Sequence, residues 1–350
     1  MRKRMGARHK PPTMRDVARM AGVSVQTVSA VINDKPGITL PTRERVLAAI
    51  KKLEYRPYSV ARSLRTGQTH TLALIVSDIA NPSFAAMASA AEDFAHSRGY
   101  SLIVYNTHDD VTREARCIET VTQRWIDGVL FVSAEDKMTS LDALLAAGIP
   151  AVAIDRIPEG YSGVSVTLDN VRAGRMAAEH LLELGHTRLA HISGPLGLRL
   201  ARERRSGFLQ AIQERGLPPA LCVGRGGNWE CDSGYQAMQD ILACDPLPTA
   251  VFSANDRMAI GAMRALSEAS LRVPDDLSIV GLDDIEVAAY QQPPLTTVRQ
   301  SFAELATRAI ELLLTVLDGQ ELSEGQLVIE PTLVVRQSTA APNMVKQGRR

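Results

Sequence analysis

The stretch Asp16–Asn33, DVARMAGVSVQTVSAVIN, decides the fold at the N-terminal end of this chain. Its first half has the apolar spacing of a short helix and stops at Gly22, a residue that tolerates the left-handed conformation of a sharp reversal. The apolar face of this helix consists of Val17, Met20 and Ala21. Thr13 and Ser24 are suitable N-caps for this helix and for the next one. The pattern predicts two short helices joined by a tight turn.

The residues around this stretch complete a three-helix unit. The second helix turns Val28, Val31 and Ile32 inward, and a third helix from Thr42 covers both with Val46, Leu47, Ile50 and Leu53. Three short helices with a glycine turn are typical of the helix-turn-helix, whose second helix enters the DNA major groove. The residues left to face the groove are Ser24, Val25, Gln26 and Thr27.

The charge distribution agrees with a DNA-binding head. The whole chain of 350 residues has 39 Lys and Arg against 39 Asp and Glu, a net charge of +0. Residues 1–69 hold 15 of the basic and 4 of the acidic residues, which gives +11 for this segment and −11 for the remainder. A basic segment of this kind fits phosphates, whereas an acidic body avoids them.

Several classes of protein are excluded by composition. No run of eighteen apolar residues occurs, and the basic start MRKRMGARHKPP is followed by no apolar stretch. The sequence therefore predicts neither a membrane helix nor a secretory signal. This favours a cytoplasmic protein that is nucleoid-associated when it is bound to DNA. The cysteines form no C-x-x-C pair, which argues against a zinc site and a disulfide framework and favours ordinary thiols. They are Cys117, Cys222, Cys231 and Cys244.

From Thr71 onward, short β-branched runs alternate with helical patterns, which is typical of a doubly wound α/β fold,. The runs include TLALIVSDI, YSLIVYN, IDGVLFVS, PAVAID, RLAHISG, AVFSAND and LSIVGLDD. Ligands of such sheets bind beyond the carboxyl ends of the strands. Polar residues stand at these ends: Asp78 with Asn81, Asp155 with Arg156, Ser193, Asn255 with Asp256, and Asp283 with Asp284.

The segments DVARMAGVSVQTVSAVIN and TRERVLAAIKKLEYRPYSVARSL resemble the head of the LacI/GalR (lactose/galactose repressor) family of transcriptional regulators. Further fragments occur in the family's order and spacing along nearly the whole chain: NPSF, DGVLF, GIPAVAIDR, HLLELGHTRLAHISGP, RERRSGF, ANDRMAIGAMRAL, LSIVGLDDIE and PPLTTVRQ. The resemblance implies an all-α helix-turn-helix DNA-binding head and an α/β body, similar to periplasmic binding proteins, of two doubly wound lobes.

The resemblance also implies domain boundaries. They are a basic flexible tail at 1–12, the helix-turn-helix domain at 13–57, a hinge helix or linker at 58–68, an effector-binding and dimerisation domain at 69–340, and a flexible tail at 341–350. Lobe 1 would consist of about 69–160 and 297–325, and lobe 2 of about 161–296 and 326–340. The chain would cross between the lobes near Arg156 to Asp169, near Leu295 and near the C-terminal PTLVVRQ.

Base contacts are implied for three positions of the second helix: Val25, Gln26 and Ala30. Gln26 can bond an adenine edge with both amide atoms, whereas Val25 and Ala30 offer only apolar contact. Hydroxyls, an amide and a phenol suited to phosphate oxygens form a second implied set. Its members are Ser24, Thr27, Asn33, Thr42 and Tyr55.

The linker after the head has little apolar surface of its own. Pro57 disfavours helix at Arg56, so the third helix should end there. Ser59–Arg65 can form less than two helical turns, too few to be stable alone in water. The resemblance implies a hinge helix ordered in the minor groove of operator DNA, with Leu64 wedged into the central base step and Ala61 beside it.

The implied effector site lies between the lobes. Its polar members are Arg204, Asp155, Asp283, Asn255 and Ser193, and its apolar walls are Phe84, Trp229 and Phe302. An arginine with carboxylates suits adjacent hydroxyls, and aromatic faces suit a sugar ring. Three neighbouring arginines leave two alternatives open, an acidic sugar or a solvated charge cluster. They are Arg199, Arg202 and Arg205.

Enzymatic readings of the body lack their motifs. The segment GRGGNWE from Gly224 has Trp229 where a dinucleotide-binding loop needs its third glycine, and neither a P-loop nor a G-x-S-x-G elbow occurs,. His186 and His191 stand five apart, which does not fit a helical metal pair. We therefore expect no enzyme, no cofactor and no metal site. A periplasmic binding protein would explain the body but not the basic head.

The sequence thus predicts a repressor of carbohydrate-metabolism genes that binds palindromic double-stranded operator DNA and responds to a sugar or sugar acid. The tail RQSTAAPNMVKQGRR has no leucine heptads of the kind that tetrameric relatives carry, which favours a homodimer,. The identity of the effector, induction or corepression, repression or activation, and a higher oligomer stay open at this stage.

Overall fold

The structure is a computed structural model that describes residues 12–55, 68–123, 126–217, 222–223, 226–322 and 325–343. The chain divides into two units, Met1–Thr69 and His70–Arg350, called here the head and the body. The predicted hinge residues Ala61 and Leu64 lie outside the described residues, as do 1–11 and 344–350 of the predicted tails.

The head has the three predicted helices. These are α1 (Met14–Ala21), α2 (Val25–Ile32) and α3 (Leu40–Leu53). Thr13 and Asp16 form a capping box at the start of α1, and Gly22 ends this helix with a φ of 64°,. Ser24 caps α2, because its hydroxyl accepts a hydrogen bond from the backbone N–H of Thr27,. The local signals of the sequence therefore fix both sides of the turn.

One small apolar core holds the head together. Its buried members are Val17, Ala18, Ala21, Val28, Val31, Val46, Ala49 and Tyr55. Two predictions for this core are wrong, since Met20 is 45% exposed and Leu47 is 51% exposed. Each follows or precedes a core residue by one position, which rotates its side chain about 100° around the helix. Helix α3 also begins two residues earlier than predicted, with a proline in its first turn.

Lobe 1 of the body is a parallel sheet with helices on both faces. Its strands are β1 (Thr71–Val76), β2 (Ser101–Asn106), β3 (Gly128–Phe131), β4 (Ala151–Ile154), β5 (Ser165–Leu168) and β11 (Gln326–Ile329). Its helices are α4 (Pro82–Ser97), α5 (Val111–Gln123), α6 (Thr139–Ala146) and α11 (Phe302–Leu317). The strand order is β11-β5-β4-β3-β1-β2. Alternate residues of β1 enter two different cores, one with α4 and α11 and one with α5 and α6.

Lobe 2 repeats this architecture. Its strands are β6 (Leu189–Ile192), β7 (Cys222–Val223), β8 (Ala250–Ser253), β9 (Ser278–Asp283), β10 (Thr296–Arg299) and β12 (Thr332–Val334). Its helices are α7 (Asn170–Glu183), α8 (Arg199–Glu214), α9 (Cys231–Leu242) and α10 (Asp256–Glu268), with a 3-10 turn at Glu286–Tyr290. The order is β12-β10-β9-β8-β6-β7, in which β12 pairs antiparallel with β10. The predicted body of two doubly wound lobes is confirmed.

The chain crosses between the lobes after β5, after β10 and after β11, which corrects the predicted division. β5 and β11 pair with each other, and β5 pairs with β4, so both belong to lobe 1 although they were predicted in lobe 2. β10 pairs with β9 and belongs to lobe 2. A strand belongs to the lobe of the strand with which it forms backbone hydrogen bonds. The sequence of the strand itself does not indicate which partner that is.

Two glycines bring α7 and α8 into close contact. A Cβ on Gly174 would lie 1.9 Å from the carbonyl oxygen of Arg204, and a Cβ on Gly207 would lie 1.9 Å from that of Val171. Only glycine permits this approach. The backbone of Arg204 is therefore held directly against α7.

The cysteines differ in one respect from the prediction. Cys117 and Cys231 carry free thiols, as expected. Cys244 is in a disulfide bond, so the expectation of an ordinary thiol is wrong at this position. Spacing alone does not reveal disulfide pairing, because the fold decides which cysteines meet.

Candidate nucleic-acid interface and effector site

The first turn of α2 is the exposed surface predicted to face DNA. Val25 is 40% exposed, and Ser24 and Gln26 are also exposed. The hydroxyl oxygens of Ser24 and Thr27 lie 2.9 Å apart. Half-buried positions complete this surface at Thr27 and Ala30. The helix thus keeps its core residues inside and leaves the side chain of Gln26 exposed.

The residues predicted to flank this surface differ in their placement. Thr42 is half-buried and accepts a hydrogen bond from Thr39 Oγ1 at 3.0 Å. Asn33 donates from Nδ2 to the carbonyl of Ser29 at 2.6 Å. Tyr55 is only 6% exposed and packs in the core of the head. The ring of Tyr55 is therefore a packing element, and the phosphate contact predicted for this residue stays a prediction.

The cleft between the lobes gathers the side chains predicted to bind an effector. All of them are between 1% and 8% exposed: Phe84, Asp155, Ser193, Arg204, Trp229, Asn255, Asp283 and Phe302. Lobe 1 supplies Phe84, Asp155 and Phe302, and lobe 2 supplies the others. Strand ends and helix starts meet here, as expected for a ligand site of two doubly wound lobes.

Aromatic rings line the cleft from both lobes. Phe84 lies in the first turn of α4, which Asn81 caps, and its ring meets that of Phe302 edge to face with centroids 5.9 Å apart. The guanidinium carbon of Arg156 lies 5.4 Å from the centroid of Phe84 and 6.0 Å from that of Trp229. The guanidinium of Arg156, in lobe 1, therefore lies near the ring of Phe84 in the same lobe and the ring of Trp229 in lobe 2.

Arg204 is the centre of the polar network. Its Nε donates to Asn170 Oδ1 at 2.9 Å, and its Nη1 donates to the carbonyl of Ala254 at 2.7 Å. Its Nη2 donates to Gln300 Oε1 at 3.0 Å, while Gln300 Nε2 donates to Asp155 Oδ1 at 2.5 Å. One amide therefore joins the arginine of lobe 2 to a carboxylate of lobe 1.

Asp283 is the second carboxylate of the cleft and is electrostatically strained. It ends β9 and accepts a hydrogen bond from Ser83 Oγ of lobe 1 at 3.4 Å. Burial raises the pKa of Asp283 to about 7; Arg204 opposes this rise and Asp155 adds to it. The carboxyl is therefore close to half-ionised at neutral pH, and its ionised form needs further hydrogen-bond donors.

Asn255 holds the wall of the cleft in place. Its Oδ1 accepts from the backbone N–H of Met258 at 2.9 Å, which caps α10, and its Nδ2 donates to the carbonyl of Trp229 at 3.0 Å. Behind it, Asp256 accepts from Thr297 Oγ1 at 2.7 Å, and burial raises the pKa of Asp256 well above its usual range. Asn255, predicted as an effector contact, thus already positions Trp229.

Two buried polar atoms of the cleft have no hydrogen-bond partner among the described residues, Ser193 Oγ and Trp229 Nε1. A buried group of this kind costs about 1–3 kcal/mol unless a partner is supplied. The Trp229 ring lies against Gly194, where a Cβ would come within 2.0 Å of it, and 5.6 Å from the guanidinium carbon of Arg204. Both atoms therefore have hydrogen-bonding capacity that the described residues do not use.

Three residues of this network were not predicted as site residues: Arg156, Asn170 and Gln300. Arg156 is 5% exposed and donates to Asp109. Asn170 and Gln300 follow the strands at which the chain crosses between the lobes. The signal available in the sequence was the same for all three, a polar residue within two positions of the end of a buried strand.

Two of the three neighbouring arginines that left an acidic sugar as an alternative effector form ion pairs with carboxylates of the protein. Arg199 pairs with Glu203 at 3.1 Å, and Arg202 pairs with Asp136 at 3.0 Å. Arg205, the third, is half-buried. This arrangement favours the charge-cluster alternative.

Other kinds of site were searched for in the part of the chain that the structure describes. There, no group of three or more His, Cys, Asp or Glu side chains is placed to hold a metal ion. Within the same residues, no helix is long and apolar enough to cross a membrane.

Comparison with known proteins agrees with both halves of this description. Residues 13–58 match the bacterial regulatory proteins of the lacI family, and residues 178–339 match a periplasmic binding protein-like domain. The HTH-type transcriptional repressor PurR of Pasteurella multocida (strain Pm70) is 39% identical over 329 residues, which cover 93% of this chain and 98% of that protein.

Solved structures show the same likeness. A Lac repressor dimer bound to operator and the anti-inducer ONPF superposes with a TM-score of 0.87 at 33% identity, covering 95% of this chain and 100% of that chain. A complex of the transcriptional regulator CelR with cellobiose gives 0.73 at 33% identity, covering 93% and 99%. These matches define a DNA-binding transcriptional regulator with an effector-binding body. The chain belongs to the LacI family.

Proposed function

We propose that this protein is a homodimeric repressor whose affinity for a palindromic operator is set by a neutral sugar bound between the lobes. The observation that carries the effector class is the charge balance of the cleft. Arg156 pairs with Asp109, and Arg204 lies near Asp155 and Asp283, so each cation already has an anionic neighbour within the protein. A ligand without net charge disturbs this balance least, which places a sugar acid second.

The geometry of the cleft suits a ring that carries several hydroxyls. Carboxylates accept from hydroxyls, the guanidinium of Arg204 donates to them, and Ser193 Oγ and Trp229 Nε1 add two further polar groups. Phe84 and Phe302 offer apolar ring surface on the side of lobe 1. Apolar faces with a few placed polar groups are the usual composition of a small-molecule site. The cellobiose complex of a relative supports this class of ligand.

The body is proposed to bind its ligand rather than convert it. In the described part of the cleft, the arginines and carboxylates are bonded to one another or to amides and aromatic faces. These contacts position and neutralise charge, and they do not pair a nucleophile with a base. Regulation then follows from linkage, because an effector that prefers one arrangement of the lobes shifts the population toward it. Moving operator occupancy from nearly full to nearly empty requires a preference of roughly 5 kcal/mol.

The head is proposed to read DNA through Gln26. Replacing it in a Gln26→Ala variant should weaken binding to the selected operator by about five- to a hundredfold, since one bidentate base contact contributes about 1–3 kcal/mol. Binding to random DNA should change little, because that binding depends on phosphate contacts. Titration of both DNAs at one fixed salt concentration measures the two effects. An equal loss on both would show that Gln26 does not read bases. Lys51→Ala, in the last turn of α3, is the control, because it removes a positive charge from the head and leaves Gln26 in place.

Operator and effector can be tested together. Full-length protein is mixed with fragments of its own genome at physiological salt, with and without a panel of neutral sugars and sugar acids, and the retained DNA is sequenced. We expect a palindrome to be enriched and then lost, or gained, with a neutral sugar. Enrichment that responds only to sugar acids would contradict the neutral class, and absence of any enriched sequence would contradict the operator-binding proposal.

A further inference from the structure

Two arginines form ion pairs between the lobes across the cleft in the described part of the chain. Arg257 of α10 lies 3.3 Å from Asp78 Oδ2, which follows β1. Arg202 of α8 lies 3.0 Å from Asp136 Oδ2, which follows β3, and 3.8 Å from Glu159. In both cases the arginine belongs to lobe 2 and its carboxylate to lobe 1. We call these contacts the α10 clasp and the α8 clasp.

The α10 clasp is partly buried and tied to the cleft. The side chains of Arg257 and Asp78 are 16% and 17% exposed, so water screens their attraction incompletely,. Arg257 also pairs with Glu230, the neighbour of Trp229. It stands in the first turn of the helix that Asn255 caps. The same guanidinium therefore connects lobe 1 to two loops that form the lobe 2 wall.

The α8 clasp acts on the helix that carries Arg204. Arg202 donates to the carbonyls of Leu196 and Gly197 at 3.0 Å each, which closes the loop before α8. Its third contact is Asp136, whose side chain is 13% exposed. The α8 clasp therefore joins lobe 1 to the loop that precedes the helix of Arg204.

We propose that Asp78 and Asp136 are positioning residues: through the two clasps they hold the lobes closed and align the helices that present Arg204 and Asn255 to the ligand. The inference rests on the proposed function, because it concerns closure of the same cleft. Neither carboxylate belongs to the polar network around Arg204. Their effect on a ligand is therefore indirect, through the population of the closed arrangement.

Charge and salt should control this closure. A partly exposed charge pair with good geometry shifts an equilibrium by up to about fivefold, so removal of two such pairs should shift the ratio of closed to open body by up to about twenty-fivefold. Salt weakens the same ion pairs. High salt should therefore shift the parent protein toward the open arrangement, as the two substitutions do. Once both carboxylates are replaced, the effect of salt should be smaller, because only the longer contact of Arg202 with Glu159 at 3.8 Å is left of the two clasps.

Trp229 allows closure to be measured without any sugar. The chain has two tryptophans, Trp125 and Trp229, so a Trp125→Phe parent leaves the cleft tryptophan as the only one. Trp229 is 6% exposed in the closed body and should be protected from acrylamide. We would compare the fluorescence quenching of this parent with that of Asp78→Asn/Asp136→Asn in the same background, at about 20 mM and about 500 mM salt.

The expected result is an at least twofold larger quenching constant in the double variant at low salt, with the parent approaching it at high salt. Glu268→Gln, which removes an exposed ion pair within α10, is the matched control and should leave quenching unchanged. Circular dichroism of all variants establishes that they fold. Unchanged quenching in the folded double variant, or an equal rise in the control, would overturn the proposal. Since no sugar is used, this failure differs from failure of any sugar to act on operator binding.

Discussion

Substitution of Arg204 by methionine is expected to abolish effector binding, with a loss of at least a hundredfold in affinity, and to lower the stability of the body. Arg204 is 3% exposed and is the donor for Asn170, Ala254 and Gln300. Removing it leaves these acceptors unpaired and removes the cation that opposes the raised pKa of Asp283. Loss of one partner from a buried charged network costs about 3–5 kcal/mol. Isothermal titration with the sugar found by the capture experiment, together with thermal unfolding, measures both effects.

Two further variants keep this prediction testable. Arg204→Lys retains the charge and should fold, yet it lacks the fork that reaches three acceptors, so its affinity for the sugar should still fall at least tenfold. Arg199→Met removes an arginine of the same helix that pairs with Glu203, and it should bind the sugar normally. Operator binding in the absence of sugar should equal that of the wild type in every variant that folds. Normal sugar binding by Arg204→Lys would show that the cleft recognises only charge at this position.

Substitution of Asp283 by asparagine is expected to stabilise the sugar-free protein above neutral pH while weakening sugar binding at least a hundredfold. The folded pKa of about 7 lies above the usual carboxyl value, so the folded state holds a proton that the unfolded state has lost. Stability of the wild type should therefore fall as pH rises from about 4 to about 7 and change little above. The asparagine variant lacks this particular loss. The difference between the two melting temperatures should grow over that window and then become constant.

Sugar binding should show the opposite pH dependence. If hydroxyls donate to ionised Asp283, affinity should rise about tenfold between pH 6 and pH 8, as expected for a group with a pKa of about 7,. The variant should lose this rise together with most of its affinity. Asp275→Asn, which affects an exposed carboxylate, is the control for both experiments. A melting-temperature difference independent of pH would contradict the raised pKa, and affinity independent of pH would contradict a direct role for the carboxylate.

Much of this architecture could be predicted because its signals are local. The capping residues, Gly22 and the strand-end carboxylates act on their immediate neighbours, and the structure places them as expected. The residues that face inward on each short helix were harder to predict. An error of one position assigned Met20 and Leu47 to the core, although both side chains are exposed. Spacing alone does not resolve rotations of this size.

The remaining errors concern contacts between distant parts of the chain. Which lobe β5 or β10 joins depends on a partner strand, and the role of Gln300 depends on Arg204 and Asp155, which come from different lobes. Asn255 illustrates the same limit, because its two amide atoms are committed to α10 and Trp229. Position in a motif indicated that these residues belong together, and only the packed structure showed which atoms they use.

The three crossings between the lobes give the cleft an unusual mechanical position. Gln300 follows one crossing strand and Asn170 follows another, and both are bonded to Arg204. If the lobes rotate about these crossings, a molecule that shifts these amides acts near the axis of rotation and not at the rims of the lobes. The displacement of an atom in a rotation grows in proportion to its distance from the axis. In such a rotation, a displacement of a fraction of an ångström beside Gln300 would move the far ends of the lobes several times as far.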